Sequence, residues 1–343
     1  MKKINKGISL LLATMLSAML FAGCSYKKEE VPKENATITV EDQLGRKVEI
    51  KGEVNRIVSS YYVSTSMLIG LGVQDKVVGI EKNAKNREMY KKVAPEFLEL
   101  PGVGTGKEIN VEECMNLNPD LVIIPTRLQD FIPQFEELGI PVLAIEPEDL
   151  DTFMSTVKML GTAIGAEEKS NEFIKYYEDT LAKVEDLTND VENKPNVYLG
   201  GTDNILKTCT SKMYQNYMFE ASGGNNVTSE LTDGYWTNIS VEQLIKYNPD
   251  YIYIVGYASY GIDDVLNDSR LQDINAVKNK KVYVFPSTIE PWDYPTPSSI
   301  LGMLWLTSNL HSDIYSVDSF KKDAKEFYKD FFNLEVSDAE IGL

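Results

Sequence analysis

A seventeen-residue stretch occurs twice in this chain. INVEECMNLNPDLVIIP, from Ile109 to Pro125, returns 130 residues later as ISVEQLIKYNPDYIYIV, from Ile239 to Val255, with seven of the seventeen positions identical. Each copy reads as the same unit. A polar residue, Asn110 or Ser240, caps a short helix. Glu112 or Glu242 stands in its first turn, where a carboxylate suits the helix dipole. Asn-Pro-Asp, at Asn118–Asp120 and Asn248–Asp250, ends the helix, because a residue before proline avoids the helical region. The apolar run that follows, LVIIP or YIYIV, reads as a buried strand. Two copies are too few for a solenoid, which needs about three or more. They predict two similar α/β lobes.

The remaining chain fits that frame. Its 343 residues suffice for about two domains, and an apolar content of 43% lets each bury a core. The amino terminus carries Lys2, Lys3 and Lys6, then an apolar run from Ile8 to Ala22. This is a secretory pattern, too short for a membrane span. It ends in Leu20-Phe21-Ala22-Gly23-Cys24, which looks like a bacterial lipoprotein signal over residues 1–23, with Cys24 lipidated and residues 24–36 as a tether. The domains expected are then an N-terminal lobe over 37–150, linking helices over 151–190, and a C-terminal lobe over 191–343.

Strands alternating with helices predict a mainly parallel sheet. Arg56–Ser59, Lys76–Ile80 and Pro141–Ile145 read as strands of the first lobe, and Gly102–Gly106 as a glycine-rich loop. Glu167–Leu187 holds no Gly or Pro, and Phe173, Tyr177, Leu181, Val184 and Leu187 mark one helical face. Such a helix, roughly 30 Å long, can serve as a stiff spine between lobes or as an ordinary surface helix. In the second lobe, VYLG after Asn196 and Val282–Phe285 read as strands, and Ser298–Leu310 and Phe320–Phe332 as helices.

Composition excludes several function classes. A net charge of −18 argues against nucleic acid as a partner. His311 is the single histidine, which rules out a His-cluster metal site and leaves Ser-His-Asp chemistry little to work with. GVGTGKE at Gly102–Glu108 lacks the glycine spacing of a phosphate loop and has Glu where Ser or Thr belongs. There is no G-x-S-x-G elbow and no identifiable acid–base pair of carboxylates, so no catalytic residue, cofactor or metal ligand is assigned. Cys114 and Cys209 are expected to be free thiols.

The segment ITVEDQLGRKVEI, the RIVS strand followed by GLGVQDKVVGI, the two repeats and the tail WLTSNLHSDIY together resemble the substrate-binding proteins of ABC importers for iron–siderophores, haem and cobalamin. The resemblance runs from Thr37 to the carboxyl terminus. It implies two α/β lobes joined by one long helix, with a small-molecule ligand held in the cleft between them. It also implies that Glu112 and Glu242 dock onto a permease dimer served by ATPase subunits, two equivalent contacts for a two-fold partner. The function expected is an extracytoplasmic, lipid-anchored, monomeric receptor that captures a ferric chelate. Haem, cobalamin, a molybdate or tungstate oxyanion, or a sensor role on the same scaffold are the alternatives.

Ligands of parallel sheets bind beyond the carboxyl ends of the strands. The residues there are Tyr61, Tyr62, Lys82, Thr105 and Arg127 in the first half, and Tyr235, Trp236, Tyr257, Trp292 and Tyr294 in the second. Aromatic rings suit a large planar or chelate ligand, and Lys and Arg suit an anionic one.

Overall fold

The computed structural model describes residues 37–286 and 288–343. The expected signal, Cys24 and the tether lie outside the described residues. An antiparallel hairpin, β1 (Thr37–Glu41) and β2 (Lys47–Lys51), opens the chain. The first lobe follows as β3 (Ile57–Ser59), α1 (Tyr62–Gly70), β4 (Val77–Glu81), α2 (Glu88–Val93), β5 (Gly102–Thr105), β6 (Glu108–Ile109), α3 (Val111–Asn116), β7 (Leu121–Pro125), α4 (Ile132–Glu136) and β8 (Val142–Ile145). Its sheet runs β6-β5-β4-β3-β7-β8, parallel throughout except for β6.

Two helices lead onward, α5 (Leu150–Ile164) and the 22-residue α6 (Glu167–Thr188). The second lobe consists of β9 (Asn196–Gly200), β10 (Lys207–Cys209), α7 (Tyr214–Ala221), β11 (Asn225–Asn226), β12 (Trp236–Asn238), α8 (Val241–Tyr247), β13 (Tyr251–Ile254), α9 (Ile262–Leu266), α10 (Asn275–Lys278), β14 (Val282–Val284), α11 (Ser299–Leu310) and α12 (Val317–Phe332). Its sheet is parallel in the order β11-β9-β13-β14, and β10 pairs with β12 separately.

The repeat is visible bond by bond. Asn110 accepts from the Glu113 amide and Ser240 from the Gln243 amide, each capping its helix. Asn118 and Asn248 both take left-handed backbone, at φ 47° and 45°. Asparagine tolerates that conformation better than most residues. The aspartate two residues on then fastens the lobe's first strand. Asp120 donates its amide to Arg56 and accepts from the Asn55 amide at 2.9 Å, while Asp250 donates to Asn196 and accepts from the Asn196 amide at 3.0 Å. Each repeat strand is flanked alike, β7 by β3 and β8, β13 by β9 and β14.

Residues 102–105 form an edge-proximal strand where a loop was expected. Val103 is the one apolar side chain there, so periodicity carries no strand signal. The glycines serve close backbone approach instead. A Cβ at Gly104 would sit 2.9 Å from the Ile109 Cα, inside the turn to β6.

One continuous core joins the β3–β4 side of the first lobe, the linking helices and the inner face of the second. On α6, Phe173, Tyr177 and Val184 are buried as their spacing requires, and Leu181 and Leu187 are partly so. The Tyr177 ring lies 5.2 Å from Phe153 and 4.9 Å from Phe173. Its hydroxyl donates to the Pro297 carbonyl at 2.9 Å and meets Ser299 Oγ at 2.9 Å, fixing the segment before α11 to the linking helix. Cys114 and Cys209 are buried and free. His311, also buried, meets the Gly223 carbonyl through Nε2 at 3.1 Å, an ordinary structural contact.

Candidate functional site

The carboxyl ends of β3, β4, β5 and β7 deliver Tyr61 and Tyr62, Lys82, Thr105 and Arg127 to one wall of a cleft. The end of β13 brings Tyr257 to the other, and the segment before α11 brings Tyr294. Two adjoining cavities fill the space. The larger is about 540 Å³ and the smaller about 190 Å³. Tyr61, Arg127, Tyr257 and Tyr294 border both.

The larger cavity is cationic. Lys82, Arg87, Lys107 and Arg127 line it, a local exception in a chain of net charge −18. The acid on its wall, Glu81, is buried and accepts from the Tyr90 hydroxyl and from Thr65 Oγ1, both at 2.7 Å. Burial pushes its pKa up, against the pull of those hydrogen bonds. Both arginines lie on rings, Arg87 3.7 Å over Tyr62 and Arg127 4.8 Å over Tyr61. Arg127 also donates through Nε to the Gly106 carbonyl. A Cβ at Gly106 would collide with that guanidinium, so the glycine makes its position possible.

The floor of the cleft joins the two lobes. The Tyr62 hydroxyl donates to Glu290 Oε1 at 3.0 Å, Ser66 Oγ donates to the same oxygen, and the Ser298 amide donates to Glu290 Oε2 at 3.3 Å. Desolvation in first place, and the Glu290 charge after it, hold the Tyr62 phenol well above its ordinary pKa. Its hydroxyl is therefore a hydrogen-bond donor rather than a phenolate ligand.

The smaller cavity is aromatic. Tyr61, Tyr214, Tyr235, Trp236, Tyr257 and Tyr294 surround it, with Arg127, Glu148 and Gln215 as its polar members. Tyr257 and Tyr294 meet edge to face, with ring centroids 5.4 Å apart. Burial raises the pKa of Tyr61 and of Tyr257, so both phenols stay protonated at neutral pH. Among the described residues, no group of three or more His, Cys, Asp or Glu side chains is placed to hold a metal ion.

Nine of the ten expected cleft residues border one cavity or the other. Trp292 is the correction. It is 0% exposed, packs edge-on against Phe320 at 5.6 Å and donates its indole N–H to the Tyr328 hydroxyl at 3.0 Å. The prolines around it do brace the segment, but they aim Tyr294 at the cleft and Trp292 into the core. Sequence reading passed over Arg87 and Glu148. Glu148 follows β8 and fell within reach of the strand-end rule. Arg87 precedes a short helix, six residues past β4, where no pattern marks it. Glu112 and Glu242 border neither cavity and are exposed, each one residue before the residue whose amide the cap receives.

A family model described as periplasmic binding protein matches residues 57–289. The molybdate-binding protein MolA of Haemophilus influenzae is 25% identical, over 94% of this chain and 96% of MolA. The solved structure of MolA bound to molybdate superposes with a TM-score of 0.76 at 23% identity, covering 87% of this chain and 99% of that one. From Bacillus subtilis, the ABC transporter substrate-binding lipoprotein YvrC is 27% identical over 91% of this chain and 99% of its own. The Fe(3+)-citrate-binding protein YfmC of the same organism is 26% identical over 81% and 89%.

Proposed function

The chain belongs to the periplasmic binding protein family, as an extracytoplasmic, non-enzymatic component that binds a small ligand for an ABC transporter, and we propose that this ligand is an anionic ferric chelate of the siderophore type. The observation that carries this reading is the larger cavity. Its volume, about 540 Å³, falls in the range of about 300–1,000 Å³ typical of pockets for whole small molecules. Four cationic side chains line it, and the one carboxylate on its wall is already engaged by Tyr90 and Thr65. Arg127, held over the Tyr61 ring, offers its remaining N–H groups to carboxylate, catecholate or hydroxamate oxygens. The likeness to YfmC is in keeping with this choice.

A second reading is favoured by MolA: a tetrahedral oxyanion, molybdate or tungstate, held by the same arginines. On either reading Cys24 carries a lipid anchor, and Glu112 and Glu242 are the contacts to the permease. The test is a titration of the purified protein followed by tryptophan fluorescence, with ferric citrate, ferric hydroxamate and catecholate chelates, haem, cobalamin, molybdate and tungstate. Trp236 borders the smaller cavity, whereas Trp292 and Trp305 are buried. Saturable binding of a ferric chelate, weakened about tenfold or more in Arg127→Ala, supports the proposal. A response confined to molybdate and tungstate establishes the oxyanion reading in its place.

A further inference from the structure

The two cavities differ in chemistry as well as size. Where the larger gathers four cations, the smaller has Arg127 alone and places one carboxylate, Glu148, among tyrosine and tryptophan rings. The Glu148 side chain has no hydrogen bond and no ion pair among the described residues. Its charge is felt instead by the phenols around the chamber, those of Tyr61, Tyr235, Tyr257 and Tyr294. Glu146 and Asp149 stand close enough to repel it, and Arg127 partly offsets them. An anion entering this chamber meets the Glu148 charge, which Arg127 on the same wall offsets only in part.

A cation meets the opposite. Ring faces attract alkylammonium groups through their quadrupole, and a half-desolvated carboxylate supplies the counter-charge at reduced dielectric screening. The protein already uses the same contact at the chamber's edge. The Arg127 guanidinium sits 4.8 Å over Tyr61, and Lys207 Nζ lies 5.9 Å from the Trp236 ring. At about 190 Å³ the chamber is below the ordinary range of whole-ligand pockets, about 300 Å³ and upward, and suits one arm of a larger molecule.

We propose that the smaller cavity is a subsite for an alkylammonium group on the ligand, with Glu148 as its counter-charge and Tyr61, Tyr235, Trp236, Tyr257 and Tyr294 as its wall. The full ligand is then dipolar: an anionic chelate in the larger cavity and an amine-bearing arm in the smaller. This deepens the chelate reading for the same cleft, but its chemistry is tested without any chelate. Burial first, and then the neighbouring acids, hold the Glu148 carboxyl above its ordinary pKa against the pull of Arg127, and a bound cation favours its ionised form.

The experiment compares butylammonium chloride with 1-butanol, its neutral counterpart in shape, at constant ionic strength. Trp236 fluorescence is read in the wild-type protein, in Glu148→Gln and in Glu148→Asp, with thermal melts to confirm folding. The expected result is saturable millimolar binding of butylammonium, at least tenfold tighter than of butanol. Glu148→Gln reduces that preference below threefold. Should the amide variant fail to fold, Glu148→Asp, one methylene shorter, must still weaken butylammonium at least threefold. Equal affinity for amine and alcohol in the wild-type protein, or a preference undiminished in whichever variant folds, overturns the subsite. Ferric chelates that fail to bind a protein that does take butylammonium remove the chelate reading alone. Chelates that bind a protein indifferent to butylammonium remove the subsite alone.

Discussion

Tyr62, on the first helix of one lobe, donates its hydroxyl to Glu290 of the other at 3.0 Å, beneath the ligand cleft. Both side chains are buried, Tyr62 at 6% and Glu290 at 1% exposure. Taking one donor away from a buried acceptor costs about 1–3 kcal/mol. Tyr62→Phe keeps the ring under Arg87 and removes only the hydroxyl. Its unfolding free energy, read from urea melts, should fall by about that amount, and an unchanged value would mean that the contact is dispensable.

Asp293 should make stability depend on pH in an uncommon direction. It is 0% exposed, and burial lifts its carboxyl to about 7. An unfolded aspartate titrates near about 3.9. Between these values the folded state holds the extra proton, so this group's contribution is complete below about pH 4 and is lost as pH rises to about 7. Asp293→Asn removes the titration. The variant's stability relative to wild type should therefore rise from pH 4 to pH 8, and a difference that stays flat refutes the assignment.

Trp292 and Trp236 should separate cleanly. Trp292→Phe loses the hydrogen bond to Tyr328 and leaves a void against Phe320, at a cost of about 2–4 kcal/mol. Because Trp292 lies behind the cleft wall, this variant should bind ligand with unchanged affinity at a temperature where it is folded. Trp236→Phe should show the converse, with near-native melting and loss of the ligand-induced fluorescence change.

Glu112 and Glu242 should matter only when the permease is present. Both are exposed, so alanine at either should alter stability by no more than about 0.5 kcal/mol. Ligand affinity should be unchanged. Uptake into proteoliposomes holding the cognate transporter should drop with each single variant and vanish with the double one. Full uptake by the double variant would place docking elsewhere.

What the sequence disclosed and what it hid divide along a physical line. Asn110, Ser240, Asn118 and Asn248 act on their own backbone or on residues three or four away, and such local devices are readable from the chain. The strand ends that reach the cleft followed from the same logic, through the rule that ligands sit beyond carboxyl termini. The facing of a side chain inside an irregular segment did not. Trp292 and Tyr294 lie two residues apart among prolines, and the choice of which meets solvent is made by Phe320 and Tyr328, about thirty residues away. Gly102–Gly106 misled for a related reason. Its strand is held by pairing with β4 and β6, not by apolar side chains that a pattern could register.

The Tyr62–Glu290 bond also bears on how such a protein can be rebuilt. Recombining one lobe from this chain with the other from a relative would be a natural way to exchange specificities, since the repeats are so alike. The cut between lobes nevertheless passes through a buried donor–acceptor pair whose halves lie 228 positions apart in the chain. A hybrid that inherits Glu290 without the phenol, Ser66 or the helix that presents them loses two of that buried group's donors at its own seam. The lobes are alike in plan without being interchangeable parts, and their compatibility is written in the segment from Glu290 to Ser298 rather than in the repeats that make them look like copies.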